Sequence, residues 1–204
     1  MKTVEFPQAP LRDAPMWPMS IAAYHALGEA GLIARNTELL YGFVYRKMPK
    51  SPIHCYLLQK LLQMLLRVVP ASHLLRSEQP ITCADSEPEP DVSVVKGSVE
   101  DFRLEHPRTA ELVIEICVTS HEYDRSKLRA YASAGVKEVW LVLAPEKQIE
   151  VHRQPGDGKF AEPDSFGPGG QLICTALPEF TLDLDALFSK QRSHTPDQGN
   201  STPR

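Results

Sequence analysis

Three residues stand where their types could do chemistry together. Asp91 follows Pro90 and opens the β-forming run DVSVV. Glu115 interrupts the apolar segment LVIEIC (112–117), with Ile114 and Ile116 on either side. Burying an ionised carboxylate without a partner is expensive, so Glu115 needs a cation beside it or must reach a cleft. If the strands 91–95 and 111–117 are neighbours, Asp91 and Glu115 converge on one end of a sheet. Two hard oxygen donors that converge with room for water are what Mg²⁺ or Mn²⁺ takes. Lys127 lies on the helical segment directly after the Glu115 strand, with Tyr131 one turn further along the same face. A strand-to-helix return brings the Lys127 amine back over the strand end. There it can orient a nucleophile or offset charge growing on a phosphoryl group.

Each of these residues also has a plainer reading. Asp91 after a proline suits a turn or a strand start. Glu115 could form a buried pair with Lys127 or an arginine. Lys127 taken alone is a solvated helix residue, and Glu38 an acid at a strand edge. His54 reads as a capping or packing residue, and Tyr131 and Trp140 as core. The histidines at 25, 73, 106, 121 and 152 have no ligand spacing such as H-x-x-x-H. Cys117 follows Glu115 by two and shares its side of the strand, but no histidine is placed to activate a thiol.

The elements that must position these groups follow from pattern. Ser20 caps a helix over IAAYHALGEAG that Gly31 ends. TELLYGFVYRKM (37–48) is strand-like, and Gly42 inside it marks a hairpin turn or a bulge. Ser51-Pro52 opens the longest helix, across 53–69, with one wide apolar face. Short strands are expected at 72–83, 91–95 and 111–117, and a helix over DRSKLRAYASA (124–134) closed by Gly135. KEVWLVLA (137–144) and QIEVHRQ (148–154) form a strand pair joined by a short turn. Residues 155–170 read as a loop, and the last ordered piece is a strand end with a short helix. Helix and strand runs in this order give a mixed α/β domain, a central sheet with helices on both sides.

The chain has 204 residues, which suits one domain: an extended tail over 1–17, a domain over 18–188, and a disordered tail over 189–204 without a core-forming residue pattern. Net charge is -4, so no bulk attraction to nucleic acid exists and phosphate contacts would need a local patch or a metal ion. The longest apolar stretch, 57–69, is interrupted by Gln59, Lys60, Gln63 and Arg67 and is no membrane span. The beginning of the sequence has no apolar signal core, and a cytoplasmic location is expected. Cys55, Cys83, Cys117 and Cys174 form no C-x-x-C pair, which argues for reduced thiols and against zinc.

The dipeptide 90-PD-91 followed by an apolar strand with a central glutamate resembles the PD-(D/E)-x-K nuclease core. The longer run 112-LVIEI-116, 123-YDRSKLRAYASAGVKEVWLV-142 and 149-IEVHRQP-155 resembles more specifically the Uma-two family, bacterial proteins described as restriction-endonuclease-like. 38-ELLYG-42, His54 at the start of the long helix and 78-EQP-80 fit as well, so the resemblance spans about 18–188. It implies a restriction-endonuclease-like α/β fold with a central mixed β-sheet flanked by helices. Asp91 and Glu115 would be metal ligands. Lys127 would be the displaced motif lysine, because Cys117 occupies the usual Glu-x-Lys position. Glu38 would be the outer acid, ligating metal directly or through water, and Gln79 a supporting polar group. The implied activity is Mg²⁺- or Mn²⁺-dependent hydrolysis of DNA by a homodimer. Val118, Phe43 and Leu143 stand where many relatives carry an acid. Those three replacements favour an alternative, a non-catalytic binding or assembly module built on the nuclease fold.

Overall fold

The computed structural model of the chain describes residues 17–119 and 121–189. Apart from Trp17 and Ser189, the two expected tails lie outside the described residues. The element order is α1 (Ile21–Glu29), β1 (Thr37–Leu40), β2 (Phe43–Arg46), α2 (Pro52–Leu65), β3 (His73–Ser77), β4 (Val92–Lys96), β5 (Leu112–Cys117), α3 (His121–Ser133), β6 (Glu138–Leu143), β7 (Gln148–Arg153), β8 (Asp164–Phe166), β9 (Gln171–Ile173), β10 (Thr181–Asp183) and α4 (Leu184–Phe188).

Six strands form the central sheet in the order β3-β4-β5-β6-β7-β8. Only β5 and β6 run parallel; the other neighbours are antiparallel. The parallel pair needs a crossover, and α3 supplies it. Buried on both faces, β5 and β6 read as continuous apolar runs rather than alternating ones. Their alternate residues nevertheless serve two different cores. Leu112, Ile114, Ile116, Trp140 and Val142 meet Leu57, Leu61 and Leu65 of α2 and Leu184 and Leu187 of α4. Val113, Cys117, Val139, Leu141 and Leu143 meet Ala130 and Tyr131 of α3. Glu115 belongs to this second face by the same alternation.

Local chemistry sets the element ends. Ser20 Oγ accepts the Ala23 N–H at the start of α1, and Ser51 Oγ accepts the His54 N–H at the start of α2, with Pro52 at the first turn. The β1–β2 connection is a two-residue turn with both central residues left-handed, Tyr41 at φ 56 and Gly42 at φ 80. A Cβ at position 42 would come within 2.3 Å of Pro18. The hairpin is no part of the central sheet. It is tied to the 78–91 loop, where the Glu87 N–H donates to the Leu39 carbonyl at 2.7 Å and the Tyr41 N–H to Ser86 Oγ at 2.9 Å.

At the start of β6, buried Glu138 holds the segment that follows β9 to the sheet. Its oxygens accept from Trp140 Nε1 at 2.7 Å, Arg153 at 3.0 Å and the Thr175 N–H at 2.8 Å. Burial opposes its charge, but these hydrogen bonds outweigh burial and hold the carboxyl below its ordinary value. The segment 155–170 is not wholly a loop, because 164–166 pairs with β7 as an edge strand. α3 begins at His121, three residues before the expected start at Asp124. Among the described residues no helix is long and apolar enough to cross a membrane.

Candidate active site

The site lies where β5, the start of α3 and the β1–β2 hairpin meet. Antiparallel pairing sets Val92 opposite Ile114, so one further step of the register places Asp91 beside Glu115. Asp91 lies one residue before β4 begins at Val92. Its Oδ2 accepts the Ile116 N–H at 2.7 Å, and a carboxylate oxygen lies 3.0 Å from His54 Nε2. Lys50 Nζ is 3.8 Å from Oδ1.

Glu115 is 1% exposed. Its Oε1 accepts the Tyr131 hydroxyl at 2.6 Å and lies 3.2 Å from Lys127 Nζ. Lys127, also buried, is equally close to Glu38, 3.2 Å from Oε1, and 4.0 Å from Asp124 Oδ1. Glu38 is 1% exposed and fully engaged: Oε1 accepts the Tyr123 hydroxyl at 2.5 Å and Oε2 accepts the Glu89 N–H at 3.0 Å. Thus the hairpin delivers one acid, β5 a second and α3 both a third acid and the cation. Lys127 reaches all three because α3 returns over the end of β5.

The charge balance is unequal. Among the described residues, Glu38, Glu115 and Asp124 lie within 4.0 Å of the one buried lysine, and Asp91 stands beside Glu115. Burial pushes the Glu115 carboxyl up to about 8, with Lys127 opposing the shift and Asp91 and Asp124 reinforcing it. Burial raises Asp124 as well, again against Lys127. For Lys127 burial works against the charge, but Glu115, Glu38 and Asp124 overcome it and hold the amine protonated. Burial is thus the main reason the Glu115 carboxyl holds a proton more tightly than an ordinary glutamate, and the neighbouring carboxylates add to it.

The structure brings Glu38, Glu115 and Lys127 into direct contact and sets Asp91 next to them. Gln79 is not among them: it is exposed, and its Oε1 accepts from Arg76 Nε at 2.9 Å. Asp124, Tyr123 and Tyr131 join the cluster although the residue pattern assigned them no role in it. Their spacing is the available signal: 123, 124, 127 and 131 recur at helical intervals on the face that carries Lys127. His54 does more than cap or pack, since its Nε2 reaches Asp91 while its buried Nδ1 has no partner among the described residues. Cys117 is no nucleophile. It is fully buried, and burial together with Asp124 pushes its thiol far above the ordinary range. Leu143 is buried in the α3-side core, Val118 packs on the α2-side core, and Phe43 is exposed.

The donor set suits a hard divalent cation. Asp91 and Glu115 offer carboxylate oxygens from adjacent strands in a cluster with excess negative charge. Among the described residues no three His, Cys, Asp or Glu side chains are already gathered at metal-binding spacing. Lys127 and the Tyr131 hydroxyl both engage Glu115 Oε1, so an ion at this carboxylate would share it with the amine.

A mixed sheet with one parallel strand pair, an α-helical crossover and acids at its end defines a restriction-endonuclease-like protein. The chain belongs to the Uma2 family, described as "Putative restriction endonuclease", whose profile matches residues 31–185. A solved structure of a "putative nuclease belonging to DUF820" from Anabaena variabilis ATCC 29413 has the same fold. It superposes with a TM-score of 0.68 at 19% sequence identity, covering 79% of this chain and 96% of that one. No curated protein matches the chain.

Proposed function

We propose that the protein hydrolyses phosphodiester bonds in DNA with a divalent metal ion at Asp91 and Glu115. The observation that carries this reading is the pairing of buried Glu115 and Lys127 beside Asp91, a costly arrangement that a core without chemistry to do would replace with apolar residues. Mg²⁺ or Mn²⁺ held there would supply Lewis-acid stabilisation of the phosphoryl oxygens and a lowered pKa for the attacking water. Asp91 is steadied for ligation by the Ile116 N–H and by His54. Glu115 must give up its proton to serve as a ligand. Lys127 keeps its own proton and would present its charge to the phosphoryl group. Glu38, held by Tyr123 and the Glu89 N–H, anchors the amine from the hairpin side and completes the acidic set.

The second reading, a non-catalytic module on the same fold, draws support from Phe43, Val118 and Leu143. Calorimetric titration with Mn²⁺ separates the two. Wild type is expected to bind and Asp91→Ala to lose binding while keeping its fold by circular dichroism. Cleavage of plasmid DNA should then require both Asp91 and Glu115. No Mn²⁺ binding at millimolar concentration, or unfolding of Asp91→Ala, would count against the catalytic reading.

A further inference from the structure

We propose that the outer strand of the hairpin, β2, is a stacking shelf for the bases of single-stranded DNA, which makes unpaired strands the preferred substrate of the adjacent centre. The inference rests on the nuclease reading and adds the substrate class. All four residues of β2 are exposed, and its outer edge pairs with no strand among the described residues. Phe43 and Tyr45 are each 40% exposed and lie two apart, so they share a face. The register fixes which face it is: Tyr45 stands opposite Glu38. The Tyr45 ring lies against that of Tyr123, with centroids 5.8 Å apart, and the Tyr123 hydroxyl donates to Glu38. A continuous line of side chains thus runs from solvent-exposed aromatic surface to the buried acids.

Cations flank this surface. Arg46 ends β2 at the strand's far end, on the face opposite to Phe43 and Tyr45, and is exposed. At the turn end, the exposed Arg129 guanidinium sits 3.9 Å over the Tyr41 ring. Aromatic rings between positive groups suit a polyanion whose bases are free to stack. In a duplex the base faces are covered by their neighbours, so such a shelf has nothing to hold. The acidic balance of the chain makes this local aromatic contact more important, because no broad basic surface supplies affinity.

Fluorescence anisotropy with labelled oligo-dT and with a hairpin duplex of equal length tests the shelf. The full chain is used in EDTA at fixed salt, so that acid repulsion is common to all variants and nothing is cut. Wild type should bind oligo-dT more tightly than the duplex. Tyr45→Ala should weaken oligo-dT binding by about tenfold, Phe43→Ala should act in the same direction, and Tyr45→Phe should retain binding because the ring face remains. Four results would overturn the proposal: no binding of oligo-dT, equal binding of the duplex, indifference to Tyr45→Ala, or binding of oligo-rU without oligo-dT. Sedimentation of the same variants covers the rival occupant. If Tyr45→Ala turns a dimer into a monomer with oligonucleotide binding unchanged, the face is a contact between copies and the shelf is refuted. Failure of the nuclease reading looks different: the shelf variants would alter binding as expected, while Mn²⁺ would produce no Asp91-dependent cleavage.

Discussion

Lys127 is the residue on which the cluster depends most directly. Its amine is, among the described residues, the only buried cation in contact with Glu38, Glu115 and Asp124. Replacing it with methionine keeps most of the volume and removes the charge. The three acids are then left together with no counterion in a largely dry site. Lys127→Met should destabilise the metal-free protein by roughly 3–5 kcal/mol at neutral pH. Much of that loss should return at pH 5, where the acids can hold their protons. Urea unfolding of wild type and variant at both pH values measures this, and a loss below about 1 kcal/mol at neutral pH would mean the amine is not the keystone it resembles. This residue, with Glu38, Asp91 and Glu115, was legible in the sequence because each sits in an environment that ordinarily excludes it or follows a family pattern. Asp124 and Tyr123 were given no role there, and His54, although it matched the family, read as a capping or packing residue. Each has an ordinary residue type for its local position, at a first helical turn or near a helix cap. Only the tertiary approach of the hairpin and of α2 turns them toward the acids. Gln79 belongs to a polar run that matched the family, and its side chain is engaged by Arg76.

Elements carry the next level of cause. The hairpin was readable from Gly42 between two β-forming runs, and the structure adds why glycine is needed there. Position 42 is left-handed at φ 80, and a side chain would collide with Pro18. Both effects act on the strand that presents Glu38. Gly42→Ala should therefore cost at least about 1 kcal/mol from the backbone conformation alone. It should also loosen Glu38 from Tyr123 and Lys127, lowering catalytic turnover by more than the stability loss explains. Thermal unfolding and cleavage rate measured on the same variant check this, and an unchanged rate at reduced stability would show that Glu38 does not depend on the turn. Helices α1 and α2 and strands β1 to β7 followed from caps, periodicity and apolar runs, but the strand expected over 72–83 is confined to His73–Ser77 and the helix expected over 53–69 ends at Leu65. β8 did not, because Asp164, Ser165 and Phe166 form a three-residue edge strand with no alternation to read. The early start of α3 was equally hidden. His121 and Glu122 continue no apolar period, and their helical state follows from the crossover back to β6. Strand order was beyond pattern altogether, since which runs neighbour one another is decided by long-range packing.

At the scale of the whole molecule, the acid cluster couples stability to pH and to metal. The Glu115 carboxyl has its value raised from 4.5 to about 8 in the folded protein. A raised acid binds its proton more tightly folded than unfolded, so its contribution is fully present below 4.5 and is lost as pH rises toward about 8. His106 and His152, lowered by burial, act in the reverse sense at lower pH, so the wild-type curve alone is a mixture. The difference between wild type and Glu115→Gln separates them. Without metal, that difference should shift against wild type across this interval, by an amount on the order of a few kcal/mol. A ligating carboxylate must be ionised, so Mn²⁺ should reverse the trend. Its stabilisation, about 2.7 kcal/mol at a hundredfold excess over Kd, should be larger at pH 8 than at pH 6 and absent in Glu115→Gln. Thermal shifts of both proteins, with and without Mn²⁺, measure all of this without reference to cleavage. A Mn²⁺ shift of equal size at both pH values, or one that survives in Glu115→Gln, would place the ion somewhere other than the Asp91–Glu115 pair. The lysine-filled cluster would then be an ion-pair core, and the nuclease reading would lose its metal site.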